Sequence, residues 1–250
     1  MDRKKLFSVE DEVALHPEKV KVAPQREELP EAPAEEKKGS SEACYYASAA
    51  FEPGVGQGAS AEYRELLRRE QTRYPDAVLP FLSILSGVLG GLFAVPAIFL
   101  NGNASWIGFL IVVFLGPFAE ETLKQSGAVF QLEKMRGSLR YAWQFFLSGV
   151  LGGAVFAVLE NLTYRYVYLA ELPPEKLASV MTFRWTICTL MHILTTVVSS
   201  MGLCRIWQES LEKERPCRLA GAFPWFAAAT FVHGLYNFSM VLLDPFIFQG

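Results

Sequence analysis

The sequence predicts an all-α membrane protein, a polytopic bundle of about five transmembrane helices that follows a disordered N-terminal tail. The first observation is that charge is unevenly distributed along the 250 residues. Positions 1–76 hold 28 of the 49 charged residues, and positions 77–250 hold the other 21. The second observation is that the later part contains five apolar runs, each long enough for the roughly 20 helical residues that cross a bilayer. The net charge of −3 excludes the basic surface typical of nucleic-acid-binding proteins.

The N-terminal tail covers positions 1–60 and is rich in Glu, Lys, Pro and Ala. It has too little apolar surface to offset its chain entropy, which predicts a disordered, acidic cytoplasmic tail. No apolar run follows the charged start MDRKKLFSVE, so we expect no signal peptide. Positions 61–76 could form a helix with Tyr63, Leu66 and Leu67 on one face, lying either at the membrane surface or in solvent.

The predicted transmembrane helices occupy approximately positions 77–100, 104–130, 141–164, 183–206 and 219–243. The first and third of these spans share the fragment SGVLGG, which begins at Ser86 and again at Ser148. Each copy contains a GxxxG pattern, which lets two helices approach closely in lipid. We therefore expect both spans to pack against other helices through these glycines.

Basic residues near the helix ends predict the orientation of the chain. Eleven Lys and Arg residues flank the ends on one side, whereas only Arg165, Lys176 and Arg184 flank the ends on the other. Cytoplasmic loops carry the excess of positive charge, so the N-terminus is predicted in the cytoplasm and the C-terminus outside. The chain is accordingly expected to be a multi-pass protein of the cell membrane.

Ionisable residues inside the apolar runs are the main functional signal, because a charge at a helix centre costs about 2.5–3.5 kcal/mol on insertion scales. The second span carries three of them in GPFAEETLKQSG, and the third carries one in FAVLENLTY. Two of the three histidines also lie within spans. In chain order, the polar residues in question are Glu120, Glu121, Lys124, Glu160, His192, His233 and Asn237.

A count of helical rise places these groups in one layer of the bilayer, between its midplane and the outer leaflet. Glu120 lies near the middle of its span, and His192 and His233 lie about 4 and 3 Å toward the outer side. Glu160 and Asn237 lie roughly 11 and 9 Å outward on the same count. A shared depth is what a single functional site requires.

Helical spacing also predicts which polar groups share a face. Glu120 and Lys124 are four residues apart with the acid first, the favourable order for an ion pair. Glu121 points about 100° away, so the two carboxylates are not expected to face one point equally. His233 and Asn237 share a face by the same four-residue spacing.

This order of residues resembles the PrsW-type intramembrane proteases, which belong to a wider group with the CAAX prenyl endopeptidases and the bacteriocin-immunity (ABI) proteins. The resemblance rests on EExxK at 120–124, FxxxEN at 156–161, His192 and HxxxN at 233–237, and it covers positions 77–250. The wider group usually has EExxxR and FxxxH, whereas this chain has a lysine and a glutamate in those places. The PrsW branch therefore fits better than an enzyme that cleaves prenylated CAAX tails.

The resemblance implies hydrolysis of peptide bonds in single-pass membrane proteins, and the family's association with anti-sigma factors implies regulated proteolysis in envelope signalling. It implies that a buried glutamate of the EE pair activates water, with Glu160 as a second acid. It also implies that His233 and Asn237 donate to the oxyanion and that His192 orients water or a carboxylate. The implied catalytic residues are Glu120, Glu121, Glu160, His192, His233 and Asn237, with Lys124, Phe156 and Asn161 in support.

Three alternatives compete with a metal-free protease, for which no cofactor is expected. A zinc ion is one, because two histidines and three carboxylates could hold it. A proton-coupled transporter is the second, since intramembrane Glu and His also form proton relays; a non-catalytic membrane scaffold is the third. The zinc alternative would use Glu120, Glu121, Glu160, His192 and His233.

The four cysteines form no CxxC pair and are expected to be small buried side chains.

Overall fold

A computed structural model describes residues 57–100 and 105–248, and within these ranges the chain is helical without a β-strand. The predicted tail at positions 1–60 lies outside the described residues, apart from its last four positions. Those four positions already belong to the first helix, α1 (Gln57–Gln71). The all-α fold predicted from the sequence is confirmed for the part of the chain that is described.

Eight further α-helices follow α1 within the described ranges, several of them joined or extended by short 3₁₀ or π segments. They are α2 (Leu79–Phe93), α3 (Trp106–Leu110), α4 (Gly116–Lys124), α5 (Ser126–Lys134), α6 (Ala142–Thr163), α7 (Pro174–Phe183), α8 (Thr189–Glu212) and α9 (Phe223–Phe248). The 3₁₀ segments are Asp76–Val78, Val95–Phe99, Arg136–Ser138 and Leu219–Ala222. The π segments are Ile111–Leu115, Tyr164–Tyr168 and Arg184–Cys188.

Four helical stretches are long and apolar enough to cross a membrane: Asp76–Phe99, Trp106–Lys124, Ala142–Tyr168 and Pro174–Glu212. Helix α9 corresponds to the predicted fifth span. It has 26 residues, about 39 Å at the α-helical rise, which also suffices in length. The prediction of a polytopic membrane helix bundle is therefore confirmed, whereas the orientation of the chain stays a prediction.

Helix α6 lies at the centre of the bundle, packed against α2 on one side and α8 on the other. A Cβ atom on Gly87 of α2 would lie 2.6 Å from the carbonyl oxygen of Ser148 in α6. A Cβ atom on Gly153 of α6 would lie 2.7 Å from the Cα atom of Ile193 in α8. Only glycine permits such close backbone contacts, so the predicted role of the two SGVLGG fragments in helix packing is confirmed.

The second predicted span, 104–130, is interrupted, because α4 ends at Lys124 and α5 begins at Ser126. Gln125 lies between them and is buried. Its Nε2 donates hydrogen bonds to the carbonyl oxygen of Thr196 (2.7 Å) and to Oγ of Ser199 (2.8 Å), both in α8. The backbone of Gln125 stays hydrogen-bonded within the chain, its N–H to Thr122 and its carbonyl from Val129, as backbone within a membrane requires. Its side chain links the interruption to α8.

The link predicted at positions 164–182 is also shorter in the structure. Helix α7 begins at Pro174, and it continues through a π segment into α8 as one stretch that ends at Glu212. The charged and proline-containing sequence around 171–176 suggested a loop, but proline is well tolerated in the first turn of a helix. The predicted fourth span at 183–206 therefore forms only part of a longer helical stretch.

Helix α1 packs against the bundle with the face predicted from its sequence. Tyr63 and Leu67 are buried, and the Tyr63 hydroxyl shares a 2.7 Å hydrogen bond with Oγ of Ser210 in α8. Burial raises the pKa of Tyr63 to about 12. The predicted helix at 61–76 is present with earlier bounds, and its apolar face contacts protein.

Candidate active site

The polar residues singled out in the sequence meet in one buried cluster between α4, α6, α8 and α9. Helix α4 contributes three side chains from two successive turns. It can do so because it contacts all three of the other helices. Each member of the cluster is at most 9% exposed. The members are Glu120, Glu121 and Lys124 of α4, Glu160 of α6, His192 of α8 and His233 of α9.

Lys124 is the cation at the centre of the cluster. Its ammonium group donates to Oε1 of Glu121 at 2.8 Å and to Nδ1 of His192 at 3.0 Å. It lies 3.5 Å from Oε2 of Glu120 and 4.0 Å from the ring centroid of Phe156. The predicted i,i+4 pair with Glu120 is present, but Glu121 is the closer partner of the lysine.

Glu121 is fully buried, and its carboxylate is surrounded by hydrogen-bond donors. Besides Lys124, its Oε1 accepts from Nδ1 of His233 at 3.0 Å and from Oγ1 of Thr195 at 3.1 Å. His233 also places its Nε2 3.7 Å from Oε2 of Glu120, so one imidazole ring faces both carboxylates. Helical spacing alone did not predict that convergence. Because its Oε1 already accepts from three donors, the Glu121 carboxylate is suited to holding other side chains in place.

Glu120 is the carboxylate of the pair that faces a cavity between the helices. Its Oε2 is buried and has no hydrogen-bond partner among the described residues. Nδ1 of His192 lies 3.9 Å away and Nε2 of His233 lies 3.7 Å away. This buried oxygen has the 3.5 Å ion pair with Lys124 but no hydrogen bond, so it is suited to binding a further cation or water molecule.

Glu160 is paired with a histidine and an arginine at the same oxygen. Its Oε2 accepts from Nε2 of His192 at 2.8 Å and from Arg184 at 2.8 Å. Nε of Arg184 also donates to Oδ1 of Asn161 at 3.1 Å, and its guanidinium lies 3.4 Å above the ring centroid of Tyr164. The sequence analysis treated Arg184 only as a flanking charge and missed it as a site residue. Its place two turns before His192 on one helical stretch is the signal that could have found it.

A cavity of about 280 Å³ lies beside the cluster. All three π segments contribute to its lining, through Val112, Tyr164 and Arg184. Such segments interrupt the regular hydrogen-bond ladder and occur frequently at functional sites. Glu120, Glu160 and His192 form the polar part of the cavity wall. The apolar part includes Ala97, Ile98, Leu100, Leu169, Val180, Phe183, Met240 and Val241.

Asn237 lines the same cavity but lies apart from the carboxylates. Its Nδ2 donates to the backbone oxygen of Val112 at 2.9 Å, within the first π segment. Of the residues predicted in support, Phe156 packs edge-on against His192, with 5.1 Å between the ring centroids. Asn161 contacts Arg184, so both residues support the site without facing the cavity.

The donor set suits a divalent cation. One ligand atom each from Glu120, His192 and His233 lies within 4.8 Å of the others. Each ring is also held from its far side by a carboxylate, His233 by Glu121 and His192 by Glu160. The nitrogen that faces Glu120 is therefore the one with the lone pair. In His192 that lone pair now accepts from the ammonium group of Lys124 at 3.0 Å, so the lysine must move aside for a cation to bind there. Two histidines and one glutamate bind zinc in many hydrolases, commonly with carboxylates behind the histidines.

The charges of the cluster favour a cation as well. Three carboxylates face two cations, Lys124 and Arg184, so with neutral histidines one negative charge is left over. An uncompensated charge in apolar surroundings carries a large desolvation cost. A divalent cation at Glu120 would offset that charge, and so would a proton. The residues present therefore fit a metal, although they do not require one.

Carboxylates and imidazoles buried between membrane-crossing helices mark a functional site, and beside a cavity they suit an intramembrane hydrolase. A model of one such family, described as the PrsW family intramembrane metalloproteases, matches residues 81–249. This match covers more than half of the chain, and the chain belongs to that family. It is thus a multi-pass membrane peptidase, and the resemblance drawn from the four motifs is confirmed. Searches of curated proteins and of solved structures each returned no match.

Proposed function

We propose that this protein hydrolyses peptide bonds in single-pass membrane proteins at a divalent cation held by Glu120, His192 and His233. The observation that carries this proposal is Oε2 of Glu120, which is buried without a hydrogen bond and lies 3.9 and 3.7 Å from the two imidazole nitrogens. The sequence alone favoured glutamate-activated water without a metal. The geometry of the cluster favours the zinc alternative.

Glu121 and Lys124 orient the side chains that would hold the cation. A bound cation of the zinc type supplies a Lewis acid for the scissile carbonyl and makes water a stronger acid. Glu121 fixes the ring of His233 through its Nδ1, and Lys124 in turn holds Glu121. These contacts orient the lone pair of His233 toward Glu120, so Glu121 is a positioning residue in this scheme.

Residues that line the cavity transfer the proton of the attacking water and stabilise the negative charge that develops on the scissile carbonyl oxygen. Glu160 lines the cavity and is the carboxylate that takes a proton from water and returns it to the leaving amine. Arg184 holds Oε2 of that carboxylate in place. Asn237 uses one N–H for Val112 and retains a second N–H, which can donate to the oxyanion.

The shape of the cavity indicates what kind of substrate enters. Its walls are largely apolar, which suits an extended segment with apolar side chains. The depth count places the cluster between the midplane and the outer leaflet, so cleavage is expected near the outer side of the bilayer. Membrane-anchored regulators of the anti-sigma type are the substrate class implied by the family resemblance.

Cleavage in proteoliposomes tests this proposal. Wild type, Glu120→Gln and the exposed control Glu175→Gln each receive a panel of labelled single-pass peptides, with and without a strong chelator. We expect wild type and Glu175→Gln to cleave, chelation to abolish cleavage and zinc to restore it. Glu120→Gln should neither cleave nor retain metal when its metal content is measured by mass spectrometry.

A metal-free mechanism is supported by one observation, the ammonium group of Lys124, which lies 3.0 Å from Nδ1 of His192 and 3.5 Å from Glu120. In that mechanism Glu120 is itself the base, and cleavage continues in metal-free protein. Undiminished cleavage after complete chelation would therefore contradict the metal proposal. Gradient-driven uptake of a solute without any cleavage would instead indicate the proton-coupled transporter.

A further inference from the structure

A second group of metal-ligating side chains lies on the opposite side of His192 from Glu120. Glu160, Cys188 and His192 offer an oxygen, a sulfur and a nitrogen atom that all lie within 4.8 Å of one another. Cys188 is 2% exposed and lines the cavity, yet the proposed reaction does not use it. The sequence predicted only a small buried side chain at this position.

The distances within this group are close to those of a coordination sphere. Oε2 of Glu160 lies 2.8 Å from Nε2 of His192 and 3.7 Å from Sγ of Cys188. Nitrogen, oxygen and sulfur ligands of a tetrahedral zinc ion are separated by roughly 3.3–3.5 Å, given their usual bond lengths. The two distances depart from this range by about half an ångström or less, and the sulfur and the imidazole nitrogen lie within 4.8 Å of each other, so the three side chains must close in to hold a cation.

Arg184 already contacts Glu160, but it leaves room for a cation. Its Nε is held by Asn161 and its guanidinium by the ring of Tyr164, so the arginine stays in place without Oε2 of Glu160. The carboxylate has a second oxygen that can accept from the guanidinium instead. A ligand set of thiolate, imidazole and carboxylate prefers thiophilic divalent ions.

We propose that Glu160, Cys188 and His192 form a second cation site, which takes cadmium or excess zinc and thereby inhibits the enzyme. The inhibition rests on the proposed function, because both sites need the same imidazole. A neutral imidazole has one lone pair. Nδ1 of His192 carries it here, since Lys124 donates to Nδ1 while the Nε2 proton faces Glu160. Binding at the second site moves the lone pair to Nε2 and removes His192 from the first site.

The protons displaced by this binding have defined destinations. The Cys188 thiol releases its proton to water as the bond between sulfur and cation forms. The imidazole proton of His192 moves from Nε2 to Nδ1. Lys124, whose ammonium group now donates to Nδ1, then turns toward the carboxylates of Glu121 and Glu120. Oε2 of Glu120, which lies 3.9 Å from Nδ1 and has no hydrogen bond, shifts to accept from the new N–H. The cluster then has four anionic groups, the thiolate and three carboxylates, which balance the two charges of the cation and those of Lys124 and Arg184.

Cadmium titration of the full-length protein in detergent tests the site without any substrate. The readout is the ultraviolet charge-transfer band of a cadmium–thiolate bond. One variant, C44A/C204A/C217A, keeps Cys188 alone, and C188A is the matched control that keeps the other three cysteines. We expect the band at equimolar cadmium in wild type and in the variant with Cys188 alone, and roughly 100-fold weaker cadmium binding in C188A.

Two results of this titration would overturn the proposal. One is a band of equal strength in C188A, which would assign the cadmium to other cysteines. The other is the absence of a band from monodisperse protein in which Cys188 is the only cysteine. If that variant aggregates, the comparison of wild type with C188A decides the matter alone.

Proteolysis supplies the second readout and separates this inference from the proposed function. Wild type and C188A are each compared with their own rate without added cation, because the Cys188 thiol donates to Glu160 and its loss can change the basal rate. Cadmium or excess zinc should then inhibit wild type and spare C188A. Equal inhibition of both proteins would refute an inhibitory site at Cys188. If no peptide is cleaved at all, that result counts against the proposed function, whereas the cadmium band still tests the site.

Discussion

At the scale of single residues, two neighbouring glutamates have opposite surroundings. Glu121 is fully buried and accepts hydrogen bonds from a lysine, a histidine and a threonine. Glu120 lines the cavity and has a carboxylate oxygen without a partner. Adjacent positions on a helix point about 100° apart, so one side chain meets the cavity and the other meets the packed helices. The roles of the two residues follow from these partners.

Replacing Glu121 with Gln should weaken metal binding by roughly 10–100-fold, because a neutral amide oxygen is a weaker acceptor than a carboxylate for Lys124 and for Nδ1–H of His233. Zinc affinity measured by competition with a chromophoric chelator checks this. The exposed substitution Glu175→Gln serves as the matched control. An unchanged affinity in Glu121→Gln would show that Glu121 does not position His233.

Arg184→Ala should reduce kcat/KM by roughly 10–100-fold, because Glu160 loses the donor that orients it. Arg184→Lys should retain more activity than Arg184→Ala, since lysine keeps the positive charge although it lacks the planar guanidinium group. Methylguanidinium added to Arg184→Ala should restore part of the rate, because the cavity reaches the vacated position. Arg165→Ala, at an exposed position near the same end of α6, is the control. A purely structural role would give no rescue by methylguanidinium.

At the scale of helices, close backbone contacts set the position of His192. A Cβ atom on Gly153 would lie 2.8 Å from the carbonyl oxygen of His192 and 2.7 Å from Cα of Ile193. Backbone atoms cannot rotate away as a flexible side chain can. Any larger residue at Gly153 must therefore separate α6 from α8, which also separates Glu160 from His192.

Gly153→Ala should destabilise the protein by about 1–3 kcal/mol, the usual cost of overpacking. It should also lower activity, because the 2.8 Å contact between Glu160 and His192 lengthens. Thermal unfolding in detergent and the peptide cleavage assay check both effects. Val158→Leu changes an exposed position on α6 and should leave both quantities unchanged. A fully active, fully stable Gly153→Ala would contradict the contact.

At the scale of the whole molecule, the basic residues predict which side of the membrane each helix end faces. Glu171, before α7, should lie outside, and Glu212, at the end of α8, should lie in the cytoplasm. In a cysteine-free background, an impermeant maleimide should label Glu171→Cys in intact cells. It should label Glu212→Cys only after permeabilisation. The reverse pattern would invert the predicted orientation, including the outer location of the cavity.

The sequence predicted the bundle, its approximate membrane spans and the polar residues that meet in one cluster, because apolar length and intramembrane charge are local properties of the chain. It did not predict that Lys124 pairs more closely with Glu121 than with Glu120. Helical spacing tells which residues share a face, but the partner of that face depends on how each helix is rotated in the bundle. For the same reason Arg184 and the interruption at Gln125 were missed, since their hydrogen bonds lie on other helices.

The contact between α1 and α8 links the position of a peripheral helix to the position of His192 in the site. Helix α8 is unbroken from Thr189 to Glu212, and Tyr63 of α1 is bonded to it at Ser210. Ser210 lies 18 residues from His192, which is about 27 Å along a stiff rod. A tilt of about 2° at that end would displace the imidazole by about 1 Å, an offset that can slow a reaction roughly a hundredfold. On the proposed function, a change in the angle at which α1 holds the far end of α8 would therefore alter the cleavage rate.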